Sequence, residues 1–190
     1  MKIGIDIDDT ITLSNELLVK EALIFDKKYL KGKGFKDKNK YWFSDMMYWD
    51  KDDTERFFDY VKENDLLLKV RLRRGAKKYI NMLHDNGHEI YLITSRPEIN
   101  DMRNKIIKYM NDKHVHFDDV INDCKNKGIV ANRLGLDYFI DNLPDHIHAV
   151  RQYGIKSYLI EDAYKNYNDG MEAISSWKKI YELIEGETDE

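Results

Sequence analysis

Apolar positions along the 190 residues repeat with two periods, one near two and one near 3.6 residues, and the changes between them mark the elements. Residues 2–7 (Lys-Ile-Gly-Ile-Asp-Ile) form a β-branched run that predicts a strand. Leu18, Ala22, Phe25 and Tyr29 fall at helical spacing, predicting a helix from about residue 15 to 30. A lysine- and glycine-rich loop over residues 31–40 follows, then the aromatic cluster Tyr41-Trp42-Phe43 and Tyr48-Trp49, then a helical stretch from about 53 to 63. Beyond Gly75 the rhythm tightens. Ala76, Tyr79, Ile80 and Leu83 mark a helix closed by Asn86-Gly87, where glycine suits the left-handed position past a helix end. Residues 88–94 read as a strand, and Ile99, Met102, Ile106 and Met110 as the inward stripe of the next helix. A strand at 119–121, a helix at 127–134 stopped by Gly135 and a strand at 137–140 come next. Pro144 opens a helix at its first position, with Ile147 and Val150 inward and Gly154 at its end. Residues 155–160 form a further strand, and Trp177, Ile180, Tyr181 and Ile184 define a closing helix.

Strands alternating with helices across short turns predict an α/β fold with a doubly wound, mainly parallel sheet. One interval breaks the pattern. About 80 residues separate the first two strands, whereas a βαβ unit needs only about 30. The surplus is expected to be a small helical insertion, residues 13–72, in a core made of residues 1–12 and 73–190.

Composition narrows the class. Hydrophobic residues make up 42% of the chain and aromatics 12%, enough for a core, so wholesale disorder is excluded. Against 31 Lys and Arg stand 35 Asp and Glu, a formal net charge of −4. Such a chain has no global attraction for nucleic acid or an anionic membrane, so no stable nucleic-acid binding is expected. Any phosphate must be met by a local device. Cys124 is the one cysteine, which excludes an intramolecular disulfide and a cysteine-based zinc site. Asp6, Asp8 and Asp9 interrupt any apolar signal core, and no run approaches the roughly 18 apolar residues of a membrane span, so a cytoplasmic protein is expected. Whether it works as one chain or as a homodimer is not written in the sequence.

In open α/β sheets, ligands bind outside the carboxyl ends of the strands. The first strand delivers Asp6, Asp8, Asp9 and Thr10 there, the second Thr94-Ser95-Arg96-Pro97, and the strand at 137–140 Asp141-Asn142, with Lys125 and Lys127 opening the helix before it. Taken singly, each is as much a helix cap or a solvated charge as a functional group. Core packing gives no reason for all of them to share one edge. A carboxylate can attack phosphorus and form an aspartyl phosphate, which splits a difficult hydrolysis into two steps. The substrate is anionic too, so a hard cation with oxygen ligands, magnesium, suits the approach. A second carboxylate two residues on can protonate the leaving oxygen and then activate water, while a hydroxyl and a lysine hold the phosphoryl oxygens.

The segments Asp6-Ile7-Asp8-Asp9-Thr10, Thr94-Ser95, Lys127 and Asp141 resemble, in order, the four motifs of the haloacid dehalogenase (HAD) superfamily of phosphohydrolases, over roughly residues 1–160. The resemblance implies a Rossmann-like core, Asp6 as nucleophile, Asp8 as general acid/base, Thr94 and Lys127 on the phosphate, and Mg2+ held by Asp6, the Asp8 carbonyl and Asp141. The insertion after the first motif is similar to the small helical cap of the superfamily's first subclass. Tyr41-Trp42-Phe43-Ser44-Asp45, Leu92-Ile93-Thr94-Ser95-Arg96-Pro97, Lys127-Gly128-Ile129-Val130 and residues 139–145 together resemble the 5′(3′)-deoxyribonucleotidase family. That implies a small phosphorylated substrate, a nucleoside or deoxynucleoside monophosphate. Tyr41, Trp42 and Phe43 would then lie against its base, with Ser95 and Arg96 among the substrate-binding residues. A base stacked on an aromatic face gains about 1–3 kcal/mol. One departure stands out: the family's last motif usually carries two adjacent acids, and here the second is Asn142, with Asp145 the nearest replacement charge.

Blander readings stand beside these. The aromatic cluster reads equally as the core of a small cap, and Arg96 as the partner of a surface acid such as Asp101. Two His-x-His pairs, His114/His116 and His146/His148, are weak zinc candidates, because side chains two apart diverge on a helix. Cys124 reads as a plain thiol, and the acidic tail, residues 185–190, as frayed. Two alternatives to nucleotide hydrolysis remain open at this point: the same chemistry on a sugar phosphate or other small phosphomonoester, and a nucleotide-binding module with little turnover.

Overall fold

The computed structural model describes residues 1–161 and 170–186. Strands β1 (Lys2–Ile5), β2 (Glu89–Ile93), β3 (Asp119–Ile121), β4 (Tyr138–Asp141), β5 (Lys156–Ile160) and β6 (Ala173–Ile174) form one sheet in the order β3-β2-β1-β4-β5-β6, with every neighbouring pair parallel. This is the doubly wound Rossmann-like order, in which the chain moves outward from β1 to one side and then crosses to the other. All four residues of β4 are buried, as befits a central strand covered on both faces. The crevice where the order reverses, beside the carboxyl ends of β1 and β4, is where such sheets bind ligands.

The chain divides into two compact units, Met1–Thr12 with Leu72–Glu190, and Leu13–Arg71. Leu72, expected at the end of the insertion, instead pairs with Thr12 in an antiparallel bridge and belongs with the sheet. In the larger unit, α4 (Ala76–Asp85), α5 (Met102–Asp112), α6 (Lys127–Leu134), α7 (Pro144–Arg151) and α8 (Trp177–Gly186) flank the strands. Each buries the stripe its sequence spacing marks: Ala76, Ile80 and Leu83 on α4, and Trp177, Ile180 and Ile184 on α8. Ile99 departs from expectation. Asn100 and Asp101 are both left-handed (φ 52° and 61°), so α5 begins only at Met102, and Ile99 is left 41% exposed.

β6 was not legible, since two residues carry no periodicity. Of the acidic tail, Glu185 lies within α8, and residues 187–190 lie outside the described residues. No helix among the described residues is long and apolar enough to cross a membrane.

The smaller unit carries α1 (Ser14–Phe25), α2 (Phe43–Met46) and α3 (Lys51–Glu63). The turn after α1, Asp26–Leu30, widens to π-type bonding and leaves Tyr29 exposed rather than on the inward stripe. Asp50 starts α3 by accepting from the Asp53 amide at 2.8 Å. The core is aromatic. Phe57 sits within 5.1 Å of both Phe43 and Trp49 and 5.5 Å of Phe25, ring centre to ring centre.

Candidate active site

β1 ends at Ile5, but the ladder runs one bond further, the Asp6 amide donating to Ile140 O at 2.9 Å. Asp6 is therefore fixed by the sheet while its side chain stands past the strand end. The chain then turns sharply through Asp9, which is left-handed (φ 57°), and amides of Ile11 and Thr12 return to Ile7 O. That turn presents Thr10, whose hydroxyl donates to Asp6 Oδ2 at 3.1 Å and whose carbonyl accepts from Trp177 Nε1. β4 ends on Asp141. Its Oδ1 accepts from the Leu143 amide at 2.9 Å, and its Oδ2 accepts from His146 Nδ1 at 2.9 Å, one turn into α7.

Lys127 joins the two strand ends. Its ammonium donates to Asp6 Oδ1 and, at 2.7 Å, to Asp141 Oδ2. The lysine opens α6, capped by Asn126, whose side chain accepts from the Ile129 amide. The next residue explains how so long a side chain is seated so deep. A Cβ on Gly128 would lie 2.3 Å from Ala149 O, so only glycine lets α6 press this closely on α7.

A second ion pair stands beside the first. Arg96 grips Asp8 with two bonds, Nε to Oδ2 at 2.9 Å and Nη2 to Oδ1 at 2.8 Å. Arg96 is itself held by its place in the turn after β2, its amide bonding Thr94 Oγ1 and its carbonyl accepting from Asp123. Its remaining nitrogen, Nη1, is buried and has no hydrogen-bond partner among the described residues.

These contacts set the charges. Burial pushes the Asp6 carboxyl up to about 7; Lys127 opposes the rise, and the neighbouring Asp141 and Asp8 charges add to it. Asp141 moves the other way. Burial raises it too, but Lys127 and His146 together hold it below the usual carboxylate range. For Lys127 burial favours the neutral amine, yet Asp141 and Asp6 outweigh it and keep the ammonium. Arg96 follows the same logic against Asp8. Three carboxylates thus meet two side-chain cations, and one of those cations is committed to Asp8. The carboxylate left short of positive charge is Asp6, with Asp141 oxygens beside it and the Asn142 amide oxygen nearby on the Thr10 hydroxyl (3.4 Å). These oxygens suit a magnesium ion, with the His146 imidazole already engaged on Asp141.

The sequence matches the family "5' nucleotidase, deoxy (Pyrimidine), cytosolic type C protein" over residues 1–188. This chain belongs to that nucleotidase family. A protein of Oceanobacillus iheyensis described as a "Putative nucleotidase" is 27% identical over 106 residues, 54% of this chain and 56% of that protein. The chain therefore matches little more than half the length of this curated relative. Among solved structures, a haloacid dehalogenase-like hydrolase of Streptococcus pneumoniae has a TM-score of 0.71 at 13% identity, covering 96% of this chain and 97% of that one. A haloacid dehalogenase-like hydrolase of Xanthomonas campestris has a TM-score of 0.61 at 15% identity, over 98% and 95%. At such identities the likeness speaks for the fold. The family match and the shared fold of these hydrolases thus point to the same strand edge.

Within this nucleotidase-family chain, the residues expected at the site land as follows. Asp6, Lys127 and Asp141 are in direct contact, and Asp8 stands beside them on Arg96. Thr94 is buried, its hydroxyl accepting from the Arg96 amide, while Ser95 is exposed and donates to Cys124 O at 3.1 Å. Arg96, expected on the substrate, spends two of its three nitrogens on Asp8. In the smaller unit, Trp42 is 49% exposed, Tyr41 is half-buried with its ring edge-on to Trp42, and Phe43 is buried in the aromatic core. Phe43 has too little free surface to lie against a base. Asp145, considered as a substitute for the missing acid, is exposed on the first turn of α7. His146 and Thr10 are the contacts that sequence reasoning did not assign. The signal for His146 was present: Pro144 starts a helix, and that start brings a residue two places later back over Asp141.

Proposed function

We propose that this protein is a magnesium-dependent phosphomonoesterase that hydrolyses nucleoside and deoxynucleoside monophosphates through an aspartyl phosphate on Asp6. The observation that carries this reading is the pair of differently held carboxylates: Asp6 is underneutralised beside Lys127, and Asp8 is locked on Arg96. Two carboxylates two residues apart in unlike environments are what a nucleophile and an acid/base need. Family membership supports the nucleotide as substrate.

In the first step an Asp6 oxygen bonds to phosphorus, the bond to the leaving oxygen breaks, and Asp8 supplies that oxygen with a proton. In the second step Asp8 takes a proton from water, whose oxygen bonds to phosphorus and returns Asp6 as a carboxylate. Lys127 and Thr94 hold the phosphoryl oxygens as their charge redistributes. Arg96 fixes the Asp8 carboxyl through its two-bond fork, so that Asp8 stands in one place for both proton transfers. Magnesium, held by the Asp6 and Asp141 carboxylates and the Asp8 carbonyl, would offset the repulsion between the nucleophile and an anionic substrate. Base recognition falls to the exposed aromatic faces of the smaller unit, Trp42 first.

A panel of nucleotides and sugar phosphates, assayed for phosphate release with magnesium and with chelator, tests the reading. The expected result is metal-dependent release that is fastest with nucleoside or deoxynucleoside monophosphates. No release from any of them, in protein that folds normally, would overturn it. A preference for ribose 5-phosphate over its nucleotide would overturn the nucleotide assignment alone.

A further inference from the structure

At the other edge of the sheet, near the amino ends of β2 and β3, three potential metal ligands converge that the phosphatase chemistry does not use. His84 and Asp85 are the last residues of α4, and His116 lies in the loop between α5 and β3. One donor atom from each lies within 4.8 Å of the other two. His116 Nδ1 is 3.1 Å from Asp85 Oδ1, and His84 Nδ1 is 3.9 Å from the same oxygen. A tetrahedral zinc ion with bonds of about 2.0–2.1 Å holds its donors roughly 3.3–3.5 Å apart, so side-chain rotations that move donors by at most about 1.5 Å suffice.

The cluster is not a chance meeting of mobile side chains. Asn81 clamps the loop to α4 in both directions, its Nδ2 donating to His114 O at 2.9 Å and its Oδ1 accepting from the His116 amide at 2.9 Å. Behind His84, its other ring nitrogen Nε2 faces Asp118 Oδ2 at 3.8 Å, and Asp118 is fixed by accepting from the Ile90 amide at 2.6 Å. A carboxylate behind the non-ligating nitrogen is the usual support of a metal-bound imidazole.

We propose that His84, Asp85 and His116 form a second metal site, separate from the catalytic edge, for a borderline transition ion such as Zn2+, Co2+ or Ni2+. Two imidazoles and one carboxylate favour these ions over magnesium, which takes oxygen donors and keeps its waters. Three protein ligands leave coordination open for water. The catalytic edge gathers mainly carboxylate oxygens, with one imidazole, His146, whereas two of the three donors here are imidazoles. His116 pairs here with a residue 32 positions away and not with its sequence neighbour His114.

Cobalt(II) is the probe, added to the full chain with magnesium in large excess to occupy the oxygen site. The expected result is one equivalent of tightly bound cobalt, with the visible absorption of imidazole coordination. In the double variant His84→Gln/His116→Gln that equivalent is lost while circular dichroism and phosphatase activity are unchanged; in Asp141→Asn it remains. Asp118→Asn weakens cobalt binding by about 10- to 100-fold. Unchanged cobalt stoichiometry and spectrum in the double variant, or loss of the equivalent in Asp141→Asn instead, would overturn the proposal without touching the phosphatase reading.

Discussion

Asp6 at the end of β1 and Asp26 in the smaller unit are carboxylates of nearly equal burial, 5% and 3% exposed, in surroundings of opposite kind. Asp26 is served by its own unit. Its Oδ1 accepts from Trp49 Nε1 at 2.5 Å and its Oδ2 from the Gly34 amide at 3.0 Å, and each bond ties a loop to α1. Asp6 has the Thr10 hydroxyl and half a lysine, which it shares with Asp141. A buried carboxylate given full hydrogen bonding by neutral donors cross-links a fold. One whose compensation is incomplete is held ready for something the chain does not itself contain. Burial alone cannot separate these roles; the partners can.

Removing each carboxylate is the widest way to break the comparison. Asp6→Asn is expected to lower phosphate release by about 10⁴-fold or more, since no other group at the site replaces the nucleophile. The same change stabilises the metal-free protein. The Asp6 pKa, raised from 3.8 to about 7 on folding, makes its contribution fully present below about pH 4 and lost as pH rises through about 7. With chelator present, urea midpoints of wild type and variant should therefore agree near pH 4 and separate in the variant's favour by pH 8. The difference is of the order of 4 kcal/mol. A variant less stable than wild type at pH 8 would show that Asp6 is fully compensated after all.

Arg96→Ala ranks next. It frees Asp8 from both charge-assisted bonds and is expected to reduce kcat by roughly 10²- to 10³-fold, with Arg96→Lys in between because an ammonium cannot reproduce the fork. A loss in KM alone would instead make Arg96 a substrate ligand only. Asp26→Ala should reverse the pattern. A buried indole N–H and a half-buried amide lose their acceptor at a cost of about 2–3 kcal/mol, seen as a lower urea midpoint, while kcat/KM of the folded fraction stays within about twofold. The smallest effect is reserved for the surface of the same unit. Trp42→Ala is expected to cost about tenfold in kcat/KM for a nucleoside monophosphate and nothing for ribose 5-phosphate, because only a base can stack. Equal losses for both would remove Trp42 from base recognition.

What could be read in advance follows from the range of the interactions. Asp6, Asp8, Thr94, Lys127 and Asp141 could be placed at one edge in advance because each sits at a strand end, in the turn after one or at the first position of a helix, and strand ends in a parallel sheet share one edge. The partners were not. Asp8 meets Arg96 across 88 positions, and His84 meets His116 across 32, pairings fixed by register and helix docking rather than by local pattern. The aromatic cluster was ambiguous for a different reason. Trp42 and Phe43 are adjacent, and which of two neighbours faces inward depends on a one-turn helix, α2, too short to leave a periodic trace.

Thr12 and Leu72 sit opposite each other in the bridge, with Leu13 N on Arg71 O and Arg73 N on Ile11 O on either side. Entry to and exit from the insertion are thus neighbouring rungs of one short ladder. In gene terms, everything between them is a cassette with a single doorway. It can be exchanged for another of different length without moving a residue of the sheet.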